Sequence, residues 1–322
     1  MRSSSSKRNL IIGSRGSELA LWQTNFVKAK LEEFFPALNL EIKIIKTTGD
    51  RLLDVALAKI GDKGLFTRQI ETALLNGEID LAVHSLKDLQ TVQPEGLEIG
   101  AVSARETPND VLIAKNAAGI DDLPRGARVA TGSLRRKSQL LNYRPDLRIF
   151  EIRGNVPTRL KKFEESDLDA MILAFAGVHR LGLDAHVKQI IPFEIMLPAV
   201  SQGAMGVEIR AGDAELKKLL RPLNDEAAQI CVTAERSFLR RLEGGCQVPI
   251  GAYAFLKDDK IHLEGMAGSL NGSVNLRDAI SGEKENAAAL GKQLAENLIA
   301  RGADKLLDET RQTVEKTKEA VI

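Results

Sequence analysis

"IIGSRGSELALWQ", residues 11–23, and "VATGSLRRKSQLL", residues 129–141, are two versions of one pattern. Each opens on a short apolar run with β-branched residues, the signature of a buried strand. Gly-Ser and an arginine follow, and then an amphipathic stretch. Serine just ahead of the first periodic apolar residue is a helix N-cap, a role open to Ser14 or Ser17 in the first copy. Further on, "EIDLAVHSLKDL" (78–89) and "DLDAMILAFAGVHRLG" (167–182) echo each other as acidic turn, buried strand and a loop with basic residues. This is no solenoid period. It predicts two similar α/β domains of the doubly wound kind, facing each other across a cleft, with ligand groups at the carboxyl ends of their strands.

The rest of the chain fits between and after these copies. "LEIKIIKT", "LEIGAVSA", "LRIFEIRGN" and "LPAVSQGAMGVEIR" read as strands, and "FTRQIETALLNG" and "VPTRLKKFEES" as helices. A boundary near "RPLNDEAA" precedes a third unit. It carries a long helix, a β-rich stretch ("IGAYAFLKDDKIHLEGMAGSL") and a helix from about Glu285 to Arg301, and it ends in a Lys/Glu/Thr-rich solvated helix end or tail. The expected domains are 8–105 with 203–221, then 106–202, both α/β, and a smaller α+β domain over 222–322.

Composition narrows the functions. The 322 residues hold 45 Lys plus Arg against 44 Asp plus Glu, a formal charge of +1, so a general polyanion binder is excluded and any positive site is local. Aromatics are 4%, too few for base-stacking platforms. Two cysteines make no disulfide framework, and without a CxxC or a nearby histidine they make no zinc site. No apolar run is long enough to span a bilayer, and "MRSSSSKRN" lacks the apolar core of a secretory signal. The expectation is a cytoplasmic, monomeric protein with no metal, nucleic-acid or membrane partner.

Three places carry chemistry. Ser14 and Arg15, and again Ser133, Arg135 and Arg136, sit where a strand gives way to a helix N-terminus, a setting that favours anions. Arg153, Arg159 and Arg180 follow later strands. One such arginine is usually solvated and idle; several at strand ends point to a multiply anionic ligand. Neither GxxxxGK[ST] nor GxGxxG is present, which disfavours nucleotides. In "AVHSLKDL", Asp88 beside Lys87 either stabilises developing positive charge or caps a helix, while His84 either takes part or packs as an ordinary core histidine. Finally, "LEGGCQVPIGAYA" (242–254) puts Cys246 in a glycine-rich turn with no helical or strand period, an accessible nucleophile or attachment point. Cys231 lies among Ile230, Ala234, Phe238 and Leu242 at helical spacing and reads as inert core.

"GSRGSELALWQ", "KGLF", "AVHSLKD", "GSLRRKSQL", "RGNVPTRL", "PAVSQGAMGVEIR" and "LEGGCQVPIGAYA", in that order, resemble the porphobilinogen deaminase (hydroxymethylbilane synthase) family from about residue 11 to 255. Departures are small: "KDLQT" replaces the family's Lys-Asp-Val/Met-Pro, and Pro157 stands where Gly or Asp is usual. The resemblance implies a three-domain fold whose first two domains are like type II periplasmic binding proteins. It implies a transferase that deaminates porphobilinogen and condenses four molecules head to tail on a dipyrromethane cofactor, held through a thioether to Cys246. Asp88 would face the pyrrole nitrogens as the catalytic carboxylate. Lys87, Ser133, Arg135 and Arg136 would hold the cofactor. Ser14, Arg15, Lys63, Arg153, Arg159, Arg180 and Gln202 would meet the substrate's carboxylates or line its cleft. A non-catalytic anion-binding protein of the periplasmic-binding type would share the repeat but has no use for the Cys246 loop.

The resemblance therefore predicts that Cys246→Ser yields folded protein, judged by circular dichroism, with no turnover, while Cys231→Ser keeps its activity. Full turnover in the Cys246 variant would sink the covalent primer.

Overall fold

The computed structural model describes residues 9–51, 64, 66–242 and 248–319. Among these, 9–51, 64, 66–105 and 204–226 form one compact unit, and 106–203, 227–242 and 248–319 form a second.

The first unit is a five-stranded sheet in the order β2-β1-β3-β10-β4. Its strands are β1 (Asn9–Ser14), β2 (Asn39–Ile44), β3 (Leu81–Ser85), β4 (Leu97–Val102) and β10 (Met205–Arg210). The first three run parallel, and β10 pairs antiparallel with β3 and β4. "LAVHS" is nearly all buried, as expected of a strand with both faces covered. The helix Glu18–Phe34 packs Val27 and Leu31 onto one face with Leu10, Ile12 and Val83. The helix Arg68–Leu75 packs Ile70 and Leu74 against Ala82 on the other. Of the two cap candidates, Ser17 is the one used: its Oγ accepts from the Ala20 N–H at 3.4 Å.

The second unit repeats the plan. β5 (Asp110–Ala114), β6 (Arg128–Ala130), β7 (Arg148–Phe150), β8 (Ala170–Ala174) and β9 (Gln189–Ile190) lie in the order β7-β6-β8-β5-β9. β6 runs parallel to β7 and β8, and β5 antiparallel to β8 and β9. In both sheets the antiparallel fourth strand is the first strand after the chain changes unit, β5 in one and β10 in the other. The internal repeat is thus a repeat of topology.

The segment expected as a third domain has a sheet of its own. β11 (Ile250–Lys257), β12 (Lys260–Gly268) and β13 (Asn275–Glu283) form an antiparallel meander. Asp258 and Asp259 both take positive φ, as a type I′ hairpin turn requires. The helices Glu226–Arg241 and Ala287–Ala300 contribute to the core beneath it, around Phe238, Leu263 and Leu294. Two glycines permit the packing. A Cβ at Gly265 would lie 2.5 Å from the Phe238 ring, and one at Gly291 would lie 2.1 Å from the Ala234 carbonyl oxygen. The sequence reading misses β13 and takes the helix Ala303–Glu319 for a helix end or tail; that helix buries Leu307.

Candidate active site

In the first unit, the carboxyl end of β3 opens onto a pocket lined by Arg15, Ser17, Leu19, Ala20, Gln23, Phe66, Thr67, Val83, His84, Ser85 and Asp88. Three separate sequence motifs meet there. The Arg15 guanidinium lies 4.2 Å from the Phe66 ring centroid, a cation–π contact. Gln23 Nε2 donates to Ser85 Oγ at 2.9 Å. Asp88 ends a single 3-10 turn, Leu86–Asp88, and is exposed, while Lys87 beside it is half-buried. That turn is tied down at its start, where the Leu86 N–H donates to the Ala204 carbonyl at 3.0 Å. Ser14, expected to touch ligand, is instead fully buried: its hydroxyl accepts from Thr24 and donates to the Arg15 carbonyl, so it shapes the turn that carries Arg15.

His84 does not join Asp88 in a triad. It is buried, with Nε2 3.2 Å from Oε2 of Glu208, a carboxylate with no exposure at all. Glu71, from the helix Arg68–Leu75, is buried too; burial pushes its carboxyl up, against opposing pulls from Thr67 and His84. The sequence reading has no signal for this cluster, because its members come from three distant segments.

In the second unit the key residue is one the sequence reading does not single out. Asp110 opens β5 and is completely buried. Its Oδ2 accepts from Arg135 Nη1 at 2.7 Å, and its Oδ1 accepts from Arg136 Nη2 at 2.7 Å and from Gln202 Nε2 at 2.9 Å. Arg135 also donates to the Leu197 carbonyl and Arg136 to that of Ile172. Both arginines come from the first turn of the helix Leu134–Tyr143, capped by Ser133, whose Oγ accepts from the Arg136 N–H at 3.4 Å. Burial alone would raise the Asp110 carboxyl; the two guanidinium charges outweigh it and hold the group far below its ordinary range. Arg180, at the end of the helix Phe175–Arg180, is buried as well and donates to the Gly203 carbonyl at 2.6 Å.

The strand-end arginines are therefore two kinds. Arg135, Arg136 and Arg180 are buried around residues 197–203, with Gln202 among them. Arg153 and Arg159 are half-buried near the β7 end of that sheet. Arg153 pairs with Glu151 at 3.0 Å, and Arg159 donates to the Gly154 carbonyl at 2.7 Å. Cys231 is buried, in the helix Glu226–Arg241. Lys63 and Cys246 lie outside the described residues.

Two family models match the chain: "Porphobilinogen deaminase, dipyromethane cofactor binding domain" over residues 10–218, and "Porphobilinogen deaminase, C-terminal domain" over 229–300. The porphobilinogen deaminase of Carboxydothermus hydrogenoformans is 52% identical over 306 residues, covering 95% of this chain and 98% of that one. That of Chlorobaculum parvum is 52% identical over 310 residues, covering 95% and 99%. Among solved structures, the methionine binding protein MetQ aligns at 12% identity with a TM-score of 0.42, over 69% of this chain and 92% of that chain. The shared strand order of the two sheets stands independently of that weak likeness.

Asp110→Asn is predicted to destabilise the protein by about 3–5 kcal/mol, because two buried guanidinium groups lose their counter-charge. The pH dependence has a definite sign. Since the folded carboxyl sits below its ordinary value of 3.8, its contribution is complete above that pH and drains away only as pH falls below it. Urea midpoints measured between neutral pH and strongly acidic pH should show that loss in the parent and not in Asp110→Asn.

Proposed function

Because the chain belongs to the porphobilinogen deaminase family, we propose that it works as that transferase, joining four porphobilinogen molecules head to tail on a resident dipyrromethane with loss of one ammonia at each addition, and then releasing hydroxymethylbilane by hydrolysis with one water. Identity of about half over nearly the whole length of its relatives carries this reading. The donor set fits a pyrrole with acidic arms. The pocket at β3 offers one cation, one carboxylate and neutral donors over the apolar surface of Phe66, Leu19, Ala20 and Val83. In the other unit, the buried Nε of Arg136 has no hydrogen-bond partner among the described residues, so it can serve an anionic acceptor.

The dipyrromethane would be joined to Cys246 and would supply the nucleophilic ring carbon that begins the chain. Arg15 binds a carboxylate arm while Phe66 fixes the plane of its guanidinium. Ser133, Lys87, Arg135 and Arg136 hold the resident group. Lys63, Arg153, Arg159, Arg180 and Gln202 receive the arms of incoming substrate. Asp88 faces the pyrrole nitrogens and stabilises the positive charge that develops on them as ammonia leaves and as the new carbon–carbon bond forms. Ser14 serves indirectly, through the turn that presents Arg15. The protein acts as a monomer in the cytoplasm. In support, no helix among the described residues is long and apolar enough to cross a membrane, and Cys231 is sequestered in the core.

Asp88→Asn separates chemistry from architecture. The amide keeps the shape and the capping ability of the carboxyl but not its charge. Its thermal midpoint should match the parent, and kcat should fall by about 10²–10³-fold, as when one preorganised electrostatic partner is removed. Near-normal kcat would reject the catalytic role.

A further inference from the structure

Ser201 is buried and has φ of 63°, the left-handed region that a residue with a Cβ avoids. Among the described residues the only other non-glycine positions at positive φ are the two aspartates of the β11–β12 hairpin turn, where that conformation is the standard solution. Ser201 is the third residue of a turn that the Gln202 N–H closes on the Ala199 carbonyl at 2.9 Å, the position where a type II turn takes positive φ and glycine is the usual occupant. Its hydroxyl is buried without a hydrogen-bond partner among the described residues, so the side chain does not repay the strain. Besides the turn bond, the backbone is held by a side chain: the Ser201 N–H donates to Glu235 Oε2 at 2.7 Å. Glu235 is fully buried on the helix Glu226–Arg241, and its other oxygen accepts from the Ala254 N–H of β11 at 2.8 Å.

The next two residues are where the site begins. Gln202 reaches Asp110 and the Pro108 carbonyl. Gly203, also at positive φ, accepts from Arg180 and from the Glu106 N–H. One strained tripeptide therefore stands between the helix Glu226–Arg241 and the arginine network. We infer that Glu235 is a positioning residue: by clamping the Ser201 backbone in the left-handed conformation, it sets where Gln202 and Gly203 hold Asp110 and Arg180. The inference rests on the assignment of Gln202, Asp110's two arginines and Arg180 to the site. Without the clamp, Ser201 relaxes towards negative φ and the two carbonyl and amide contacts that follow it are displaced together. Glycine at 201 has no strain to relax, so it holds the same conformation without help.

Intact mass of purified protein, before and after addition of porphobilinogen, reads this directly, because bound pyrrole units are counted as added mass. Glu235→Gln should emerge with the ratio of loaded to unloaded chain lowered about tenfold, the population change worth one strained left-handed residue. The chains that are loaded should stall before full elongation. Ser201→Gly alone should match the parent, and Glu235→Gln/Ser201→Gly should recover loading and elongation. Full loading and elongation in Glu235→Gln overturns the inference, and so does a folded Glu235→Gln that the glycine fails to rescue. Glu235→Asp keeps the charge but withdraws the carboxylate, and with its own Ser201→Gly partner it supplies the same comparison where the amide variant does not fold. Arg180→Gln run alongside separates the two levels. If it elongates fully, the site assignment fails; if it stalls while Glu235→Gln elongates fully, only the clamp fails.

Discussion

A fully buried carboxylate holding two guanidinium groups organises the second unit. Asp110 gathers the start of β5, the first turn of the helix Leu134–Tyr143 and the segment leading into β10, and Arg136 extends the set to β8 through the Ile172 carbonyl. Such a cluster is a poor source of net stability, since desolvating the ions costs about as much as their attraction returns. Its value is geometric. A guanidinium is planar and its N–H groups are fixed in direction, so an arginine whose terminal nitrogens are committed to Asp110 and to a carbonyl presents its remaining edge at a set angle. Loss of the aspartate would leave those edges unaimed before it left anything unfolded.

The two halves of the repeat have used the same local plan for different ends. After β1, the turn delivers Arg15 to the pocket rim, stacked on Phe66. After β6, the matching turn delivers Arg135 and Arg136 inward onto Asp110. The difference lies in what each sheet offers opposite the helix N-terminus. The first unit has no acidic residue at the start of its antiparallel fourth strand, where β10 begins with Met205 and Gly206. Gly206 instead makes room for Leu86: a Cβ there would lie 2.8 Å from its side chain. That space seats the turn carrying Asp88. The acidic group is thus structural in one unit and exposed to the pocket in the other.

What was legible in the sequence was local. Strand, Gly-Ser turn, cap and amphipathic helix are encoded within a dozen residues, and both copies fold as read. The arginines were legible as a class because each follows a strand. Their partner was not: Asp110 lies 25, 26 and 92 positions from Arg135, Arg136 and Gln202, and no local pattern marks an aspartate that will be buried by such distant groups. The same holds for Glu208 opposite His84, and for Glu235 beneath Ser201. β13 escaped notice because "NLRDAISGE" is half-exposed along most of its length and carries charges where a core strand would not. The closing helix reads as a tail because its apolar positions are few, although Leu307 is buried in the core.

The proposed activity requires a chain that carries its own primer and extends it one pyrrole at a time. Intact mass spectrometry of the unmodified protein, taken as purified and then after limiting porphobilinogen, tests this most directly. The purified mass should exceed that of the polypeptide by one dipyrromethane, and substrate should then give a ladder of species each one pyrrole heavier. A purified protein with the mass of the bare chain, and no ladder on adding substrate, would contradict it.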